Sequence, residues 1–164
     1  GSHGQSDLGI WRVHQFTKIE QIIIAKPEDS WALHEELLQN CTDLWDSLGI
    51  HYEIVNICTG DMGTVAAKKY DLEAWIPGAN QYKEIVSCSN CTDYQANRLS
   101  IRYGQPGHPN QPIVHTLNST AVATSRALVA IMEQNQLEDG RVSIPKALQP
   151  LMGGQTVLEP CLWG

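Results

Sequence analysis

The sequence predicts an α+β fold: a mostly antiparallel sheet with two helices, residues 27–49 and 122–136, packed on one face. Three observations predict it. Large apolar residues recur at helical spacing through residues 27–49. Shorter stretches on both sides of that helix alternate apolar and polar residues, the period of strands. The stretch from His115 to Gln136 opens extended and turns helical. At 164 residues, 42% of them hydrophobic, the chain is one domain's worth with enough apolar side chain for a real core.

Residues 1–4, Gly-Ser-His-Gly, read either as the remnant of a cleaved tag or as an exposed glycine-rich loop. Residues 10–25 read as a strand. Val13, Gln15 and Thr17 face one way, and Arg12, His14, Phe16, Lys18 and Glu20 the other. A cation, an aromatic plate and a carboxylate on one face match a phosphate, an adenine ring and an ammonium group. An amphipathic strand with a cross-strand ion pair has the same pattern. In the long helix, Pro27, Glu28 and Asp29 make a favourable first turn. Trp31, Leu37, Leu38, Cys41, Leu44, Trp45 and Leu48 form its apolar face, and Gly49 stops it.

Residues 50–58 follow as a strand with Tyr52, Ile54 and Val55 as its candidates for burial. Residues 59–63 form a turn, because their Gly-x-x-Gly pattern lacks the Lys-Ser/Thr ending of a phosphate-binding loop. A helical turn is expected at 65–69, a strand at 71–76, hairpin chemistry at 77–80 and a returning strand at 81–87. Glu84 and Ser87, then Ser89 and Asn90, make a dense polar group between two strands. The oxygens of Glu84 and Ser87 suit magnesium, a hard cation often shared with substrate phosphates. Cys88 and Cys91 lack the second cysteine pair of a structural zinc site.

Residues 93–102 read as a turn and then a strand with Leu99 and Ile101 inward, and 104–112 as a surface loop. In the stretch from His115, Asn118, Ser119 and Thr120 sit at the strand–helix junction, where short polar side chains can cap a helix. Val122, Leu128, Val129 and Met132 keep the helical period. Arg126 lies two turns in, close to Thr120 in projection. Such a strand and helix start suit a small zwitterion and a phosphate chain, or are an ordinary strand–turn–helix with a surface arginine. Residues 138–140 are a turn and 141–144 a short strand. Pro145 starts a last helical turn through Leu151. Leu158, Leu162 and Trp163 pin the tail.

The formal net charge of -7 gives no sign of a broad nucleic-acid-binding surface. An odd count of five cysteines points to a reduced, cytoplasmic setting rather than a secreted one. The longest aliphatic run, at residues 22–25, is far too short to span a bilayer, so no membrane partner is expected.

Several motifs together resemble a known family. Thr116-Leu-Asn-Ser-Thr-Ala-Val-Ala-Thr-Ser-Arg126, with Glu133-Gln-Asn-Gln and Asp139-Gly-Arg-Val-Ser-Ile-Pro145, looks like motif 3 and the C-terminal end of a seryl-tRNA synthetase, a class II aminoacyl-tRNA synthetase. Arg12-Val-His-Gln-Phe-Thr-Lys-Ile-Glu20 resembles the second half of motif 2. Tyr70-Asp-Leu-Glu-Ala-Trp-Ile-Pro77 and the block from Glu84 to Ala96 resemble the part between. The order matches, the resemblance covers nearly the whole chain, and the wording is closest to the archaeal and eukaryotic cytosolic branch. On this reading residues 1–10 continue, without a gap, as the motif 2 loop.

The resemblance implies a partial class II catalytic core and a two-step reaction. L-serine and ATP give seryl-adenylate and pyrophosphate, and the acyl group passes to tRNA(Ser). By motif position Arg12 would contact ATP phosphates and Phe16 would stack on adenine. Glu20 would take the serine ammonium, and Asn118 and Thr120 would line the serine pocket. Glu84 and Ser87 would hold Mg2+ and the phosphates. Arg126 would grip the γ-phosphate end, a task that suits its bidentate fork. The family's tRNA-reading coiled coil, motif 1 and the Arg-x-Glu strand of motif 2 are not among these residues. The chain would then supply part of an active site, completed by an N-terminal half or a homodimer partner. The alternative is a non-catalytic paralogue that binds a small ligand or a protein.

Overall fold

The structure, a computed structural model, describes residues 9–160. The readings at residues 1–4 and at Leu162 and Trp163 fall outside the described residues. After a 3-10 turn at Gly9–Trp11 come β1 (Lys18–Ala25), α1 (Ser30–Ser47), β2 (Tyr52–Asn56), β3 (Lys68–Ile76) and β4 (Gln81–Asn90). Then follow α2 (Tyr94–Leu99), β5 (His115–Ala123), α3 (Thr124–Gln134) and a small ribbon of β6 (Val142–Ser143) and β7 (Val157–Leu158). The main sheet runs β1-β5-β4-β3-β2, every neighbouring pair antiparallel.

The core lies on one face of this sheet. Trp45 and Cys41 of α1 and Ala127 and Ala130 of α3 pack on Leu72, Ala74 and Ile76 of β3 and on Ile85 and Val86 of β4. Each large apolar side chain so buried contributes about 1.5–3 kcal/mol. Two helices on one face of an antiparallel sheet is the architecture the sequence predicts, and it leaves the other face open.

Two bulges set what that open face carries. In β4, Val86 pairs with Leu72 but Glu84 with Glu73, so Ile85 is an extra residue. Both Ile85 and Val86 are buried. Residues three apart on a plain strand point to opposite faces. With the bulge, Glu84 and Ser87 oppose Glu73 and Asp71, two residues apart on β3, and so share the open face. In β5, Thr120 pairs with Glu20 but Val122 with Ile19, which makes Ala121 the extra residue. Thr120 then faces the open side while Val122 joins the core. Helix α1 holds this bulge: Trp45 Nε1 donates to the Ala121 carbonyl at 3.2 Å, and Cys41 Sγ donates to that of Thr120 at 3.3 Å.

Several expectations need correction. β1 starts at Lys18 rather than Ile10, so Arg12 and Phe16 do not share a strand face with Glu20. Its partner β5 ends at Ala123 opposite Lys18, and α3 starts at once, Thr124 closing on the Thr17 carbonyl. Asn118, Ser119 and Thr120 lie inside β5 and cap no helix, and Arg126 sits in the first turn of α3. Trp31 is exposed, while the polar Ser30 and His34 complete the buried face of α1. Ile54 is exposed because β2 is an edge strand. Residues 65–69 form no helical turn: Lys68 and Lys69 pair with Asn90 and Ser89, extending β3 and placing Ser89 and Asn90 within β4. The expected strand at 93–102 is the helix α2, which leaves Leu99 70% exposed. Leu128 and Met132 are half exposed and line a small apolar cavity against the C-terminal ribbon, whose second strand the sequence did not announce.

Candidate active site

Three groups gather on the open face and at its rim. The first centres on Glu20 of β1. Asn118 Nδ2 and Thr120 Oγ1, from β5, each donate to its carboxylate at 3.1 Å, one to each oxygen. Lys18 Nζ lies 2.6 Å from Oε2 and also donates to Thr120 Oγ1 at 3.4 Å. Burial opposes ionisation of Glu20, but the hydrogen bonds from Lys18, Asn118 and Thr120 outweigh it and hold the carboxyl below its ordinary range. Beneath, Cys41 contacts Ser119 Oγ at 3.3 Å, and Gln21 Nε2 donates to Cys41 at 3.2 Å, so the wall of this pocket is tied to α1. A carboxylate facing an amide and a hydroxyl can take an ammonium group beside small polar groups. Lys18 already places an ammonium there.

The second group lies where α3 meets β4. Arg126 Nη1 donates to the Glu84 carbonyl at 2.7 Å and lies 3.3 Å from its carboxylate. Its guanidinium stands 5.5 Å from the Trp11 ring centroid, and Lys83 Nζ stands 5.2 Å from the same centroid. Arg12 joins Arg126, Glu84 and Lys83 in lining an open groove of about 460 Å³. Three cationic side chains around one groove suit a polyphosphate.

The third group is acidic. Asp71, Glu73 and Glu84 share the face, with Ser87 opposite Asp71. Burial and the charge of Glu84 push the Asp71 carboxyl up, with Lys69 and Ser87 opposing. Burial, then the charges of Glu53, Asp71 and Glu84, push Glu73 up as well. Ser89 pairs across with Asn118, and Ser87 stands two residues along, so the acidic and Glu20 groups sit on neighbouring strands, roughly 7–8 Å apart on the diagonal. The donor set fits magnesium, since Glu84 and Ser87 offer hard oxygens on one face beside excess negative charge.

Of the residues singled out from sequence, Glu20, Asn118 and Thr120 converge, and so do Arg12, Glu84 and Arg126. Ser87 joins them through the bulge. Phe16 lies in the irregular segment before β1, 49% exposed. Sequence reasoning missed Trp11, Asp71, Lys69 and Lys83, and it gave Lys18 no role. Lys18, two residues from Glu20, was within reach of the alternation rule. Asp71 was not, because its partner Ser87 is fixed only by the β3–β4 register.

A one-sided antiparallel sheet with an ammonium-accepting carboxylate beside a cationic groove defines the class II synthetase type of core. The family model for the "tRNA synthetase class II core domain (G, H, P, S and T)" matches residues 3–135, and the chain belongs to that family. Within it, the chain is similar to the serine–tRNA ligase of Archaeoglobus fulgidus, 60% identical over 91% of this chain and 33% of that protein. The serine–tRNA ligase of Thermococcus sibiricus is 56% identical over 96% of this chain and 35% of its own. The crystal structure of seryl-tRNA synthetase from Pyrococcus horikoshii complexed with ATP superposes at a TM-score of 0.92 with 52% identity, over 98% of this chain and 36% of that one. The cytoplasmic serine–tRNA ligase of Naegleria fowleri in complex with AMP gives 0.87 and 49%, over 96% of this chain and 37% of that one. The chain thus spans about a third of the length of these relatives.

Proposed function

We propose that this chain carries part of the active site of a serine–tRNA ligase, which joins L-serine to ATP and passes the seryl group to tRNA(Ser). The observation that carries the reading is that Glu20, Asn118 and Thr120 converge on one carboxylate while β4, the strand next to β5, carries the Glu84 that Arg126 grips. Glu20 takes the serine ammonium, exchanging it for Lys18. Asn118 and Thr120 bound the pocket around the small side chain. Arg12 and Arg126 hold the ATP phosphates, and Phe16, free of the core, closes on the adenine ring. Glu84 and Ser87 hold Mg2+, which when bound neutralises charge on the phosphate chain.

The chain's own contribution is placement. It keeps the serine carboxylate in line with the α-phosphate and meets the developing charge with fixed cations. The remaining two thirds of such a ligase would supply the tRNA-reading arm, the dimer interface and the rest of the α-phosphate clamp, and a cytoplasmic location goes with that role. Among the described residues no helix is long and apolar enough to cross a membrane.

Calorimetric titration with a non-hydrolysable ATP analogue tests the reading. Arg126→Ala should weaken binding about 10- to 150-fold, the loss of a charge-assisted phosphate contact. A folded chain that binds no analogue, or one that Arg126→Ala leaves unchanged, would replace this reading with a non-catalytic binding module.

A further inference from the structure

Among the described residues, Asp71 is the one on the open face that is both charged and sealed from water, at 4% exposure. Its two oxygens are unequal. Oδ2 lies 3.3 Å from Lys69 Nζ, and Ser87 is the direct cross-strand neighbour of Asp71 on the same face. Oδ1 is buried with no partner. Leaving a buried carboxylate oxygen unsatisfied is costly. Glu84 and Glu73, paired directly across the strands, add like charge nearby. The ion pair with Lys69 offsets part of this cost, but it engages Oδ2 alone and leaves Oδ1 over.

We infer that Asp71 is a positioning residue: it accepts the proton of the Ser87 hydroxyl and so aims that oxygen's lone pairs at a divalent cation held by Ser87 and Glu84. The inference rests on the proposal that Glu84 and Ser87 hold the cation. A hydroxyl has one proton and two lone pairs, and an ionised carboxylate only accepts. Bound to Asp71, the Ser87 proton points into the sheet and the lone pairs point out. A hard cation needs that orientation, since an outward O–H would repel it. The charge behind the hydroxyl also strengthens it as a ligand, as carboxylates do behind metal-bound histidines.

The test uses Mn2+ alone as probe, with free Mn2+ followed by electron paramagnetic resonance. Glu84→Gln and Ser87→Ala should each weaken Mn2+ binding. If the chain binds no Mn2+, or neither change matters, the cation reading fails and the inference with it. If both matter, Asp71→Asn should weaken binding about 10- to 100-fold, the usual effect of removing a residue behind a ligand. On a Ser87→Ala background the same change should do nothing further, because Asp71 acts through Ser87. An unchanged affinity in Asp71→Asn, or a loss that persists undiminished without the hydroxyl, overturns the inference while leaving the cation reading standing. Asp71→Ser, which removes the carboxylate without adding bulk, supplies a second variant should Asp71→Asn fail to fold, and an unchanged Mn2+ affinity there would likewise refute its role.

Discussion

Replacing Glu20 by glutamine keeps the shape of the pocket and removes its charge. In the structure the carboxylate accepts from Asn118 and Thr120 at 3.1 Å each and pairs with Lys18 at 2.6 Å. An amide oxygen can still accept from one neighbour, but it offers no charge to an incoming ammonium. The loss is then one hydrogen bond between charged groups, about 1.5–3 kcal/mol, or roughly a 10- to 150-fold weaker dissociation constant. The assay is calorimetric titration with a non-hydrolysable seryl-adenylate analogue, run beside the ATP analogue. Glu20→Gln should weaken the first and leave the second unchanged. Acid unfolding supplies an independent check. The folded carboxyl titrates below its ordinary value. Its stabilisation is therefore present above the unfolded-state value and lost as the pH falls through the lower folded one, and Glu20→Gln should lack that acid-side segment. Equal losses for both ligands, or no loss for the adenylate, would refute the assignment of Glu20 to the ammonium.

Trp45→Ala should lower stability by about 3–5 kcal/mol in urea unfolding. It removes a fully buried indole and strands the Ala121 carbonyl, so it should weaken the seryl-adenylate analogue too, through the slackened β5 bulge. Tyr52 predicts an alkaline effect. Burial, and the hydrogen bond its hydroxyl donates to Asp46 at 2.8 Å, push its pKa from 10.0 to about 12. The contribution should be intact below the unfolded value near 10 and vanish as the pH passes about 12, so urea midpoints of the wild type and Tyr52→Phe should converge across that window. A constant gap would contradict it.

The long helix was legible because Leu37, Cys41 and Trp45 keep a helical period over more than two turns. Its true buried face also holds Ser30 and His34, and no apolar count finds these. Ser30 donates to the nearby Pro27 carbonyl and also meets the distant His115 ring, and His34 meets the distant Cys88 carbonyl through Nε2. The strand–helix boundary at Thr124 was illegible for a related reason. Asn118, Ser119 and Thr120 have the chemistry of a helix cap, but pairing with β1 keeps them extended through Ala123. Lys18, Glu20, Asn118 and Thr120 meet because β1 and β5 are neighbours in the sheet while about a hundred residues apart in the chain. Composition and period are blind to such a meeting, and only the motif resemblance reached it.

The extra residue in β4 has a consequence for how such a site can change over time. A strand is a two-step counter, and every side chain is assigned odd or even. Glu84 and Ser87 differ by an odd number, yet they read as the same parity because Ile85 adds one to the count. Substitutions never alter a count, so the face can exchange most of its side chains one at a time and remain a face. A single deletion between Glu84 and Ser87 restores the simple rhythm. It moves the carboxylate or the hydroxyl to the far side at one stroke, with no graded intermediate for selection to rescue. Drift in residue type is therefore cheap in this segment, and drift in length is forbidden.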